Sequence, residues 1–340
     1  MKRAVPLEVI TLLYLLFYIP NIILTKHMAT SPDAVLGRPL TGLEILPASL
    51  ILSGVATIAW IWFAGWWKSA NQVRVGPLSI PFPTKWTMLS GLCTAFVLFT
   101  VPLSYTFHGV SIPYIQLLMR GDVLLIAPVV DLLSGRKVRW WSWAALALVA
   151  LGLFITINAR GGLKLPPLAI ATVVAYTVGY FGRLAIMTKV SKTGAAGSVK
   201  SYFVEEKIVG IPVAIAVLAA ISWFGLGSQG GQLGWGFVDV WTSDKLLPIA
   251  ILGLTLFIVS VFSILILLDP RENTFCVPLE RSASLLAGVV ASYVLAFTLG
   301  LPKPTTAELI GSGLLIAAIV LLSVAPRIAA RKAPALAEAA

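Results

Sequence analysis

Three arginines that lie inside long apolar stretches, Arg120, Arg183 and Arg281, are the residues of this 340-residue chain with the clearest capacity for chemistry. A guanidinium group stays charged at physiological pH, and its planar fork of N–H donors matches a carboxylate or a phosphate group. A charge at mid-bilayer depth costs at least about 2.5–3.5 kcal/mol, so such a side chain normally faces a cavity or a partner. These arginines therefore indicate recognition of an anionic group within apolar surroundings.

Polar neighbours at helical spacing extend this set of candidates. Gln116 lies one turn before Arg120, and Glu280 directly precedes Arg281. Further polar stripes lie in the first and the sixth apolar runs. The predicted substrate-binding residues are Arg120, Arg281, Gln116, Tyr14, Tyr18, Asn21, Tyr176, Glu280 and Arg183. For each of them, structural pairing or interhelix hydrogen bonding is the open alternative.

Other acidic residues have simpler interpretations. We expect Asp122 to satisfy a neighbouring group and Asp131 to lie near a membrane interface. The run from Glu205 to Lys207 is predicted to open the seventh span, where acidic groups complement the positive end of a helix. A buried Glu280 is also a candidate carrier of a coupling proton.

Composition excludes several classes of protein. Hydrophobic residues make up 58% of the chain and charged residues 11%, with a mean hydropathy of +0.94, whereas soluble domains carry about 25% charged residues. Two cysteines and two histidines give no disulfide framework or metal cluster, and no phosphate-binding loop is present. We therefore expect no enzyme activity, no cofactor and no metal site. The net charge of +11 lies mainly in short loops, which favours membrane orientation over nucleic-acid binding.

Ten runs are long and apolar enough to cross a bilayer, which takes about 20 residues. They cover 7–25, 45–67, 86–107, 111–133, 140–158, 165–187, 208–226, 246–268, 274–298 and 305–325. Alternate loops carry 16 and 6 Lys and Arg residues, so both termini are predicted to be cytoplasmic. The chain is thus predicted to be an all-α, multi-pass integral membrane protein. Compact loops favour a bacterial inner (plasma) membrane.

Self-similarity appears when the chain is shifted by 161 residues. The shift pairs Arg120 with Arg281 and Gly152 with Gly313, and it superposes spans four and five on spans nine and ten. Because five spans per repeat is an odd number, the two repeats must insert in opposite orientations. The predicted organisation is a first five-helix repeat over 1–160, a second over 161–326 and a cytoplasmic tail over 327–340.

Two segments resemble a known family. The closing stretch from Gly300 to Ala317 is similar to the last loop and helix of the drug/metabolite transporter superfamily (EamA-like). The segment from Asn273 to Arg281 resembles the ninth helix of its nucleotide-sugar and triose-phosphate transporter branch, in which a Lys-Arg pair follows. Here Arg281 matches that pair, while Glu280 stands in place of the lysine. The resemblance implies ten helices as two inverted five-helix repeats and transport of a metabolite.

Together these features predict a secondary transporter that moves a small anionic or zwitterionic organic metabolite by alternating access. A flippase for an anionic lipid or a lipid-linked sugar is the alternative, and a membrane-embedded transferase or a channel represents a different class. The expected partners are a small-molecule substrate and the lipid bilayer. A coupling proton or ion and the oligomeric state are left open.

Overall fold

The computed structural model describes residues 6–33, 36–121, 140–162, 165–191, 198–225, 227–269 and 273–337. These ranges are almost wholly helical. The helices are α1 (Leu7–Met28), α2 (Gly42–Phe63), α3 (Lys85–Ser104), α4 (described over 112–121), α5 (Trp140–Ala159), α6 (Pro167–Ser191), α7 (Ser198–Trp223), α8 (Gly227–Phe237), α9 (Leu246–Leu267), α10 (Asn273–Leu299) and α11 (Thr306–Ala337). Two short strands, β1 (Gln72–Val75) and β2 (Leu78–Pro81), form an antiparallel hairpin.

Seven helical stretches in the described ranges are long and apolar enough to cross a membrane. They are Leu7–Met28, Gly42–Phe63, Lys85–Ser104, Pro167–Met187, Leu246–Leu267, Leu279–Leu299 and Thr306–Ala325. Helix α5 adds a shorter apolar stretch, Trp143–Ala159. The prediction of an all-α, multi-pass membrane protein fits these helices. The count of ten spans remains a prediction, because predicted spans five and seven are not among the seven long stretches and the second half of predicted span four lies outside the described residues.

Two helices begin with the same arrangement of side chains. Thr41 and Glu44 form a capping box at the start of α2, and Thr305 and Glu308 exchange the equivalent hydrogen bonds at the start of α11. Such boxes satisfy backbone N–H groups that a helix start leaves unpaired. Arg38 lies 2.6 Å from the carboxylate of Glu44, and Arg160 pairs with that of Glu308. Each box is thereby neutralised by an arginine.

Helices pack closely where small residues meet. Helix α3 packs against α6 and α7, α9 packs against α1 and α2, α10 packs against α1, and α5 packs against α11. A Cβ on Gly210 would lie 3.0 Å from the carbonyl oxygen of Gly91, and one on Gly253 would lie 2.8 Å from that of Ser49. Gly152 meets Gly311. Close backbone approach of this kind is how membrane helices gain packing energy without a hydrophobic driving force.

Three segments differ from the sequence prediction. The segment 227–245, which separates two predicted spans and was therefore expected to be a loop, contains α8, which packs against α2 and α7. The loop between spans two and three carries the hairpin, with the turn at Gly76 in the left-handed region at φ +62°. Helix α1 continues to Met28, three residues beyond the predicted end, and so includes Lys26. Apolar windows locate the middle of a helix well but miss polar turns that continue it.

Candidate functional site

A buried polar chamber lies where α1, α3, α4, α6, α7, α9 and α10 meet. Its volume is about 80 Å³. Its polar lining consists of Tyr14, Tyr18, Thr94, Arg120, Tyr176, Tyr180, Arg183, Lys207, Ser260, Ser263, Glu280 and Arg281. This set includes seven of the nine residues that the sequence analysis predicted to bind substrate.

Two arginines converge on the hydroxyl group of Tyr176. Arg281 Nη1 donates to this oxygen at 2.5 Å, and Arg120 Nη1 donates to it as well. Arg120 Nη2 also donates to the hydroxyl of Tyr18 at 2.9 Å. The Arg281 guanidinium carbon lies 3.8 Å from the centre of the Tyr180 ring, a cation–π contact. The positions that the shift of 161 residues pairs in sequence therefore meet in space at one phenol.

Glu280 supplies the carboxylate beside these arginines. Its Oε1 accepts hydrogen bonds from the Tyr14 hydroxyl at 2.8 Å and from the Ser263 hydroxyl at 3.2 Å. Its Oε2 lies 3.1 Å from Arg281 Nε, an ion pair whose angles do not form a hydrogen bond. Arg120 Nε is buried without a hydrogen-bond partner among the described residues. One carboxylate thus faces two guanidinium groups in the described part of this cluster.

The other end of the chamber holds a second charged cluster. Arg183 Nε lies 2.5 Å from Glu206 Oε1, and this carboxylate also accepts a hydrogen bond from Thr94. The adjacent Lys207 is 3% exposed and donates to Ser260 Oγ at 2.8 Å. Within the described ranges Lys207 has no carboxylate within ion-pair distance. The chamber as described therefore carries more positive than negative charge.

The interpretation of Glu205–Lys207 as the first turn of span seven is wrong, because α7 begins at Ser198. Glu205 instead accepts hydrogen bonds from backbone N–H groups of Asn71 and Thr84, at 2.9 and 3.2 Å. Thr84 is the N-cap of α3, so Glu205 complements the start of a neighbouring helix and holds the end of the hairpin segment. Glu206 and Lys207 belong to the chamber.

Two predicted residues lie outside the chamber lining. Gln116 Nε2 donates to the Tyr105 hydroxyl at 3.1 Å, and that hydroxyl lies 2.8 Å from the Tyr18 hydroxyl, so Gln116 belongs to a polar layer next to the chamber. Asn21 Nδ2 bonds to Thr255 Oγ1 at 3.0 Å, which joins α1 to α9. Asp122 and Asp131 lie outside the described residues.

Several lining residues were missed by the sequence analysis. Tyr180 lies one turn after Tyr176 and one turn before Arg183, so extending that stripe would have included it. Ser260 and Ser263 lie in the very apolar α9, where a hydroxyl group carries little sequence signal. Lys207 was assigned to a helix end. Among the described residues no group of three or more His, Cys, Asp and Glu side chains has the arrangement of a metal site.

Comparison with known proteins shows the fold and nothing more specific. No family model and no curated protein matches the sequence. A solved structure described as "Crystal structure of protein" is similar over 94% of this chain and 97% of its own, at 15% sequence identity and a TM-score of 0.54. An identity this low shows a shared fold and carries no information about substrate.

Proposed function

We propose that this protein is a secondary transporter that moves a small anionic or zwitterionic organic metabolite across a membrane by alternating access. The observation that carries the proposal is the convergence of Arg120 and Arg281 on Tyr176, with Glu280 as the nearby carboxylate. Both guanidinium groups are at least 96% buried. A carboxylate or phosphate of the substrate would supply negative charge where the described side chains leave an excess of positive charge.

Energetics favours a binding role over a stabilising one. Moving charges out of water costs several kcal/mol per ion, and even paired buried charges are often no better than apolar residues for stability. Such groups are therefore expected where they serve binding, and in membrane spans they commonly mark a substrate pathway. Arg120 Nε, which has no described partner, is a donor available to a ligand.

We also propose ten spans in two inverted five-helix repeats, as in the drug/metabolite transporter superfamily. Packing supports this arrangement if α8 is treated as an insertion. The proposed repeat matches α1 to α6, α2 to α7, α3 to α9, α4 to α10 and α5 to α11. Under this exchange the α3–α6 contact corresponds to α9–α1, and the α3–α7 contact corresponds to α9–α2. All four contacts are present, and the α5–α11 and α2–α7 contacts map onto themselves. Charge distribution favours cytoplasmic termini, and compact loops favour a bacterial inner membrane.

The polar layer next to the chamber is consistent with a barrier that closes the outer side of the proposed transport pathway. The Tyr18 and Tyr105 hydroxyls and Gln116 form a hydrogen-bonded set between the chamber and the region where α1 ends and α4 begins. Gly288 lies against this layer, since a Cβ there would be 1.8 Å from Gln116 Oε1. A carrier that alternates between two openings requires a barrier on each side of its binding site. The hydrogen-bonded side chains of this layer are the candidate for the outer barrier.

Uptake into proteoliposomes tests the proposal. A thermal-shift screen of the purified protein with phosphorylated and carboxylated metabolites selects candidates, which are then offered in radiolabelled form. We expect saturable uptake and counterflow by the wild type and loss of both in Arg120→Gln and Arg281→Gln. Arg74→Gln, which removes an exposed arginine from the hairpin, is the matched control and should retain transport. Wild-type rates in correctly folded chamber variants would contradict the assignment.

A further inference from the structure

A second cavity lies at the end of the helix bundle where α1 and α5 end and α4 and α11 begin. Its volume is about 210 Å³, larger than that of the chamber. Polar side chains on its wall come from Lys26, Thr30, His108, Ser111, Arg160 and Ser292, and the rest of the wall is apolar. This volume is below the 300–1,000 Å³ of sites for drug-sized ligands, so it suits a small molecule or ion. We call it the outer cavity.

Lys26 gives this cavity an unusual charge. The side chain is 8% exposed, and its Nζ donates to the carbonyl oxygens of Phe107 at 3.0 Å and Val110 at 3.3 Å. A lysine ammonium group has three donors, so one remains for a ligand. No carboxylate of the described residues lies within ion-pair distance of it. Buried charges are normally paired because an unpaired ion in low-dielectric surroundings is costly.

The other cation of the outer cavity is already neutralised. Arg160 Nε donates to Glu308 Oε1 at 3.0 Å, and Arg160 Nη2 donates to Ser111 Oγ at 2.8 Å. This pair also fixes the wall, because Ser111 Oγ donates to the same Glu308 oxygen at 2.5 Å. Lys26 therefore supplies the net charge of the cavity. The first residues of α4 contribute to the same wall, and a helix start is favourable for negative charge.

We propose that the outer cavity is an oxyanion-binding site, in which Lys26 is the charged contact for a carboxylate or a phosphate group. It lies beyond the polar layer and shares α1, α4 and α10 with the chamber. Lys26 is eight residues from Tyr18 along α1, a helix rise of about 12 Å. The inference that Lys26 binds the substrate on its way to the chamber rests on the proposed transport function. Anion binding at Lys26 does not depend on that function.

Chemical footprinting of the full-length protein in detergent tests the site. A water-soluble, amine-reactive reagent is applied with and without inorganic phosphate or acetate. Labelling of each lysine is then measured by mass spectrometry. We expect the anions to protect Lys26 in the wild type and in Arg120→Gln, while labelling of the exposed Lys303 stays unchanged. Absence of protection by both anions would overturn the proposal.

Affinity measurements on matched variants complete the test. Lys26→Gln should weaken binding of radiolabelled phosphate at the outer cavity by about tenfold or more, which is about 1.4 kcal/mol. Lys26→Arg should retain binding and shows that charge rather than shape is responsible. Lys303→Gln removes an exposed lysine on the same side and should leave affinity unchanged. Equal affinity in Lys26→Gln and the wild type would refute the site.

The two proposals fail separately in these experiments. Protection of Lys26 without any metabolite transport would leave the outer site standing and refute the transport function. Transport that depends on Arg120, without protection of Lys26, would do the reverse.

Discussion

Glu280→Gln is the sharpest single test of the chamber, because it removes one charge while keeping the shape and the oxygen that Tyr14 and Ser263 contact. Removing one partner of a buried ion pair costs about 3–5 kcal/mol, since the other charge is left unpaired. Arg281 would still bond to Tyr176 and lie over the Tyr180 ring. We therefore expect the lower end of that range, about 3 kcal/mol in the free energy of unfolding.

A double-variant cycle with Arg281→Gln separates the ion pair from local packing. The combined variant has neither charge, so its loss of stability should be smaller than the sum of the two single losses by about 0.5–3 kcal/mol. Detergent-solubilised protein is unfolded by increasing amounts of SDS and followed by circular dichroism. Glu8→Gln, an exposed carboxylate in the first turn of α1, is the control and should cost at most about 1 kcal/mol.

If Glu280→Gln unfolds like the wild type and the two substitutions are additive, the 3.1 Å contact between Glu280 and Arg281 is not an energetically significant ion pair. The charge balance assigned to the chamber would then be wrong.

Two further predictions concern the polar layer and the orientation of the chain. Gly288→Ala places a methyl group 1.8 Å from Gln116 Oε1, so the Gln116 amide must move, and we expect a cost of about 1 kcal/mol of stability. Gly313→Ala meets no atom within 4 Å and should stabilise its helix by about 0.5–1 kcal/mol. Equal melting temperatures of the two variants would contradict the close contact at Gly288. Arg74→Cys should be protected from a membrane-impermeant maleimide in intact bacterial cells, and Lys303→Cys should be labelled. The reverse labelling pattern would contradict cytoplasmic termini.

Apolar length alone predicts most of the fold. Runs of about 20 apolar residues coincide with the cores of the long helices, because a continuous apolar surface is what a bilayer requires. The start of α7 could not be predicted in this way. Glu205, Glu206 and Lys207 interrupt the apolar run and suggest a helix end, although all three are buried and bonded to other helices. A hydropathy window registers the cost of a charge and not the partner that offsets it.

Helical spacing predicts much of the chamber, within a limit set by geometry. Tyr14 and Tyr18 were placed on one face of α1, and both line the chamber. Asn21 shares that face but lies one turn further along, where α9 comes close enough to accept its hydrogen bond. A stripe defines a direction around a helix and not the neighbour that it meets at each depth. Lys26 falls outside the predicted span 7–25 because its charge ends the apolar run, although α1 continues past it to Met28.

Repeat symmetry was informative for charge and less so for packing. Arg120 and Arg281, paired by the shift of 161 residues, meet at Tyr176. Gly152 lies against Gly311 rather than Gly313, its counterpart by the same shift. A charged side chain in a membrane has few positions that satisfy it, while small residues allow two helices to contact at several registers.

The ion pair between Glu280 and Arg281 has a consequence for the empty protein in the proposed cycle. A carrier whose binding-site charges are neutralised only by the bound substrate can reorient only when substrate is bound, and it then exchanges one substrate molecule for another. Here Glu280 offsets the charge of Arg281, while Arg120 and Lys207 keep the described part of the empty chamber positive, which is costly in a low dielectric. The proposed carrier is therefore expected to reorient more readily with an anion bound, which favours one-for-one exchange over net accumulation.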